Sequence, residues 1–139
     1  MSSAPSSPPP RRAVLYWLPV LLWVGVMLFF SSAPDPYAAV GAQGTTVSDI
    51  LGHLLGFTVF AVLAIRWLRF RMGKRGKRPI LLGIALCLAY ALFDELHQMP
   101  IPGRSFEWLD LATDAVGALV GAGIMAAIVR ERRGSPKTP

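Results

Sequence analysis

Residues 80–100 read ILLGIALCLAYALFDELHQMP, and this stretch decides the architecture. Fourteen residues from Ile80 to Phe93 carry no charge, and then Asp94, Glu95, His97 and Gln98 arrive before Pro100. A helix ending at Phe93 would be about 21 Å long, thin for a bilayer. A helix continuing to Pro100 reaches membrane length at 1.5 Å per residue. The second reading places ionisable side chains within the outer part of a bilayer. Such residues are expensive there and are functional candidates by default.

Three more apolar stretches flank this one. Residues 13–30 carry no charge, residues 49–68 are interrupted only by His53 and a terminal Arg66, and residues 109–129 carry Asp110 and Asp114 near their start. The apolar residues run all the way round, unlike a soluble amphipathic helix. The expected fold is therefore all-α, a four-transmembrane-helix bundle. Composition agrees: 53% of the 139 residues are hydrophobic and 16% charged, with mean hydropathy +0.48. That balance excludes a disordered chain, a coiled coil and an ordinary water-soluble enzyme. A lone Cys87 excludes a disulfide within one chain and any multi-cysteine metal site.

The domain reading follows. Residues 1–12 form a Ser/Pro-rich tail expected to be disordered, 13–129 the membrane domain, and 130–139 a basic tail. The first apolar run exceeds the usual signal-peptide core of about 7–15 residues and is read as an uncleaved span. Net charge is +6, and its placement excludes a nucleic-acid partner. Thirteen of the 14 Lys and Arg residues lie in the N-terminal tail, the second loop or the C-terminal tail, and only Arg104 lies on the other side. The positive-inside rule puts both termini in the cytoplasm of a bacterial inner membrane. Contact with anionic lipid explains the basic loop without a further partner.

The polar pairs then converge. Asp49 and His53 stand four apart at the outer end of the second span, Asp94 and Gln98 at that of the third, Asp110 and Asp114 at that of the fourth. Glu95 and Gln98 share a broad face. His53 is expected to bond Asp49. Glu107 is expected to point into water. Ser105 is expected to cap the fourth helix, with Arg104 just before it, bridged to a neighbouring acid or free for a phosphate or carboxylate. Gly52 with Gly56, and Gly117 with Gly121, are G-x-x-x-G pairs expected to pack helices closely.

Five acids in one layer cannot all ionise at low dielectric. Shared protons or a divalent cation would compensate, the metal candidates being Asp49, His53, Asp94 and Asp114. The ligand-binding candidates are Asp49, His53, Asp94, Glu95, Gln98, Arg104, Asp110 and Asp114, and the catalytic candidates Asp94, Glu95 and His53.

In this order, Ser31-Ser32, Asp49 with His53, Asp94-Glu95-Leu96-His97-Gln98, Pro102-Gly103-Arg104-Ser105, Asp110, Asp114, Gly117 and Gly121 resemble the signature of the VanZ-like family of small bacterial membrane proteins. The family pattern often has Asn where Asp114 stands and Lys where Ile50 stands, so this outer layer is the more negative. The resemblance implies a link to lowered susceptibility to the lipoglycopeptide teicoplanin, and no molecular mechanism. The leading functional expectation is a pocket for an anionic lipid or cell-envelope head group, such as a lipid-linked intermediate. The alternatives are a small membrane hydrolase or transferase, with Asp94 or Glu95 as base, and a structural scaffold. A transporter fits poorly in a four-helix monomer without repeats, and the sequence sets no oligomeric state.

Overall fold

The computed structural model describes residues 10–38, 41, 43–73 and 76–134. Within them lie four helices, α1 (Pro10–Ser31), α2 (Thr46–Arg71), α3 (Arg78–Gln98) and α4 (Trp108–Gly134). All four are long and apolar enough to cross a membrane, and at 1.5 Å per residue each spans about 30 Å or more. The third helix does continue through Asp94 and Glu95 to Gln98. α1 begins at Pro10, and α4 runs on to Gly134. The expected Ser/Pro-rich tail up to residue 9, Lys74 and Arg75 of the basic loop, and residues 135–139 lie outside the described residues.

Local chemistry sets the helix ends. Thr45 and Ser48 form a reciprocal capping box at the start of α2. Pro79 falls in the first turn of α3, where a missing N–H costs nothing. After α3 the chain turns sharply: Arg104 N–H donates to Ile101 O at 3.0 Å, with Pro102 and Gly103 between them and Gly103 at φ +82°. A positive φ at the third position, after proline, is a type II turn. Ser105 is not the cap of α4. The helix begins at Trp108, and its first turn closes on Glu107 O, which accepts from Asp110 N–H at 3.1 Å and Leu111 N–H at 3.2 Å.

Burial runs opposite to that of a water-soluble bundle. Large apolar side chains line the outside of every helix, among them Leu15, Leu22, Leu55, Leu81 and Leu119. The interior holds Ala61, Ala64, Ala91 and Ala118 with Phe57 and Phe60. Lipid tails are as apolar as leucine, so in a membrane close backbone approach through small residues drives helix association. α4 packs on α2 and α3, while α1 lies against α2, touches α3 narrowly and does not reach α4.

The two glycine pairs part company. A Cβ on Gly117 would lie 2.6 Å from Leu54 O, and one on Gly121 2.5 Å from Thr58 O, so these glycines let α4 press onto the α2 backbone. Gly52 and Gly56 make no such approach. A Cβ there would meet only Tyr37 Oη at 3.5 Å and Met27 Cε at 3.9 Å. Their stripe faces α1, which is tied across by Trp23 Nε1–H donating to Gly56 O at 2.9 Å.

Candidate functional site

The ends of α1 and α3 and the starts of α2 and α4 meet at one end of the bundle. There Asp94, Glu95, Gln98, Asp110 and Asp114 are all buried, and His53 is half-buried. Asp49 and Arg104 sit at the rim, half-buried. His97 lies outside this group, on Ser32 and against the Phe93 ring, and the Glu107 side chain is exposed.

His53 is not bonded to Asp49. Its Nδ1 lies 2.9 Å from Asp114 Oδ1, and its Nε2 lies 3.6 Å from Asp110 Oδ2. The i, i+4 spacing put Asp49 and His53 on one side of α2. The tight α2–α4 approach turns His53 to α4 instead and leaves Asp49 lining a cavity.

Arg104 is not bridged to an acid among the described residues. Its Nε–H and Nη2–H both donate to Gln98 Oε1, at 3.1 and 2.6 Å. Gln98 Nε2 donates to Asp94 Oδ2 at 3.1 Å and to Ser31 Oγ at 3.3 Å. The Gln98 amide therefore uses both N–H donors and both carbonyl lone pairs. It fixes the guanidinium without cancelling its charge. Glu95 Oε2 accepts the Glu107 N–H at 2.7 Å, so a carboxylate of α3 sits where the start of α4 offers free donors.

The sequence pointed to four metal candidates, and the structure regroups them. Among the described residues, one donor atom from each of His53, Glu95 and Asp114 falls within 4.8 Å of the other two. Glu95 joins the set, while Asp49 and Asp94 are not part of it.

Two cavities adjoin this cluster. One, of about 400 Å³, runs between α1 and α2 along Trp23, Met27, Leu55, Gly56 and Val59 and ends at Ser31, Asp94 and Gln98. The other, of about 290 Å³, is walled by Asp35, Gly103, Ser105, Glu107 and Asp110. They share Pro36, Tyr37, Asp49, His53, Gln98 and Arg104. Tyr37 and Trp23 carry no motif and were missed from sequence; an aromatic after a Pro-rich turn was the only signal for Tyr37. Burial pushes the Tyr37 phenol up from its usual range, and the charge of Asp49 adds to that, so it remains a neutral hydroxyl.

Four helices long and apolar enough to cross a membrane, with buried acids gathered at one end, define a small multi-pass membrane protein. Residues 16–130 match the VanZ/LLP1 family. The chain belongs to that family. Neither the curated proteins nor the solved structures compared with it gave a match.

Proposed function

We propose that the chain holds an amphiphile, an anionic lipid or lipid-linked cell-envelope intermediate, with its head group at the polar end of the bundle. The observation that carries this reading is the junction of the two cavities. An apolar groove between α1 and α2 runs into a polar mouth, and six residues line both. Ligand pockets are commonly apolar with a few placed polar groups. The groove suits an acyl or prenyl chain. Arg104, held by Gln98 and free of any acid partner among the described residues, suits a phosphate or carboxylate. The positive charges of the second loop and tails support a topology with both termini inside a bacterial inner membrane and the pocket outside. A link to glycopeptide susceptibility is implied by the family resemblance alone; no residue of the cavity bears on it.

One observation favours a second reading, a hydrolase or transferase. His53 is oriented by a buried carboxylate, Asp114, at 2.9 Å, as a general base is. No hydroxyl or thiol of the described residues bonds His53, so water would be the nucleophile.

The test is lipid retention. The full chain is purified in mild detergent beside Gly56→Leu and Arg104→Gln, and bound lipid is measured by native mass spectrometry after exposure to phosphatidylglycerol or phosphatidylcholine. Wild type is expected to retain phosphatidylglycerol preferentially. Arg104→Gln should lose about tenfold of that preference, the worth of one charge-assisted hydrogen bond. Gly56→Leu should fill the groove and lose both lipids. Equal retention by all three proteins overturns the reading.

A further inference from the structure

Four buried side-chain polar atoms lack a hydrogen-bond partner among the described residues, and three of them belong to one cluster: Asp94 Oδ1, Glu95 Oε1 and Asp114 Oδ2. Each of these carboxylates is at least nine-tenths buried, at 4%, 0% and 0% exposure. Each is also anchored by its other oxygen. Asp94 Oδ2 accepts from Gln98, Glu95 Oε2 from the Glu107 backbone, and Asp114 Oδ1 pairs with His53 Nδ1. One oxygen tied and one left over is how a carboxylate is presented to a metal, since outer hydrogen bonds orient the coordinating atoms. A buried oxygen left without a donor costs about 1–3 kcal/mol, more when charged. Two of the three belong to Glu95 and Asp114, whose donor atoms gather with one from His53, and packing does not explain them.

Charge makes the same demand. Asp94, Glu95, Asp110 and Asp114 are buried together, and His53 is the basic side chain in direct contact with them. Arg104 spends two of its donors on the neutral Gln98 amide. One imidazolium cannot balance four carboxylates at low dielectric.

We propose that His53, Glu95 and Asp114 bind a divalent transition ion of the zinc class. One donor from each already lies within 4.8 Å of the others. Donors sharing one zinc sit about 3.4 Å apart, so the widest separation closes by roughly 1.4 Å, within reach of side-chain rotation. The imidazole selects against magnesium and calcium, which take oxygen ligands. Three protein ligands leave a coordination position open. Of the three, His53 also lines the cavity that Asp49 and Arg104 line, and an anion there would meet the guanidinium and the positive charge of a bound ion. The inference goes beyond the lipid reading and does not depend on it.

The experiment is zinc titration of the full chain, tag removed, in detergent after chelator treatment. Bound metal is counted by mass spectrometry of the gel-filtered protein, and cobalt is then substituted to record its visible absorption. One ion per chain is expected, with a cobalt spectrum of low-coordinate N/O type. Glu95→Gln and Asp114→Asn should each weaken zinc by about tenfold or more, whereas Glu131→Gln, exposed at the far end of α4, should leave it unchanged. Should either variant fail to fold, His53→Gln and the wild-type stoichiometry decide. Less than a tenth of an ion per chain at saturating zinc overturns the proposal and assigns the compensation to protons. So does wild-type affinity in folded Glu95→Gln and Asp114→Asn. Lipid retained by metal-free protein with no zinc bound leaves the lipid reading standing alone, and zinc bound without lipid leaves this one.

Discussion

α2 packs against all three other helices, and it treats two of them, α4 and α1, differently. Towards α4 it offers bare backbone at Leu54 and Thr58, against which Gly117 and Gly121 close with no room for a methyl group. Towards α1 it offers Gly52 and Gly56, the same spacing of the same residue, and there the helices stay apart around a cavity. The G-x-x-x-G pattern is thus a permission for close approach. Whether it is taken up depends on what stands opposite. Opposite α4's glycines are a main chain and the β-carbons of Phe57 and Ala61; opposite α2's are long side chains, Met27 of α1 and Tyr37 of the connection that follows it.

That contrast can be broken or sharpened by substitution. The largest effect is expected for Gly121→Leu, which drives a side chain into Thr58 O and should cost about 3 kcal/mol or more. Gly56→Leu should stay folded with less than about 1 kcal/mol lost. Denaturant unfolding in mild detergent measures both, and equal losses would erase the distinction between the two faces. Next comes Thr58→Val. Thr58 Oγ1–H lies 2.7 Å from Leu54 O and 3.2 Å from Gly117 O, one proton shared between two helices. Its removal should cost about 0.6–1.7 kcal/mol, the range for polar contacts between membrane helices. The smallest effect is expected for Trp23→Phe. It removes the Trp23–Gly56 bond at about 0.6 kcal/mol, and in the retention assay it should loosen the groove without emptying it. A loss as large as that of Gly121→Leu would mean that α1 is an integral wall of the bundle.

The spans were legible because the bilayer imposes one length and one solvent on all four. The continuation of α3 through Asp94 and Glu95 followed from the same arithmetic, and those residues are buried with Gln98, Asp110 and Asp114. Partner choice was less legible. Spacing along α2 suggested Asp49 for His53, yet the bond goes to Asp114, because rotation of α2 about its axis is set by the glycines of another helix. Spacing cannot report that rotation. Arg104 invited an acid and found Gln98, since the type II turn after α3 folds the guanidinium back on the last residue of that helix. Ser105 has the chemistry of a cap, but Glu95 reaches the Glu107 N–H first, and the helix starts three residues later than its best local signal.

The turn after α3 is fastened at both feet, by Gln98 to Arg104 and by Glu95 to Glu107. Chain length there is therefore a fixed measure. The connection between α1 and α2 spans residues 32–45, and among its described residues no such pair of ties spans it. An epitope inserted for detection belongs in that first connection, beyond Tyr37, which lines both cavities. Placed in the second, the same insert would pull both fasteners open and loosen the buried polar residues they hold.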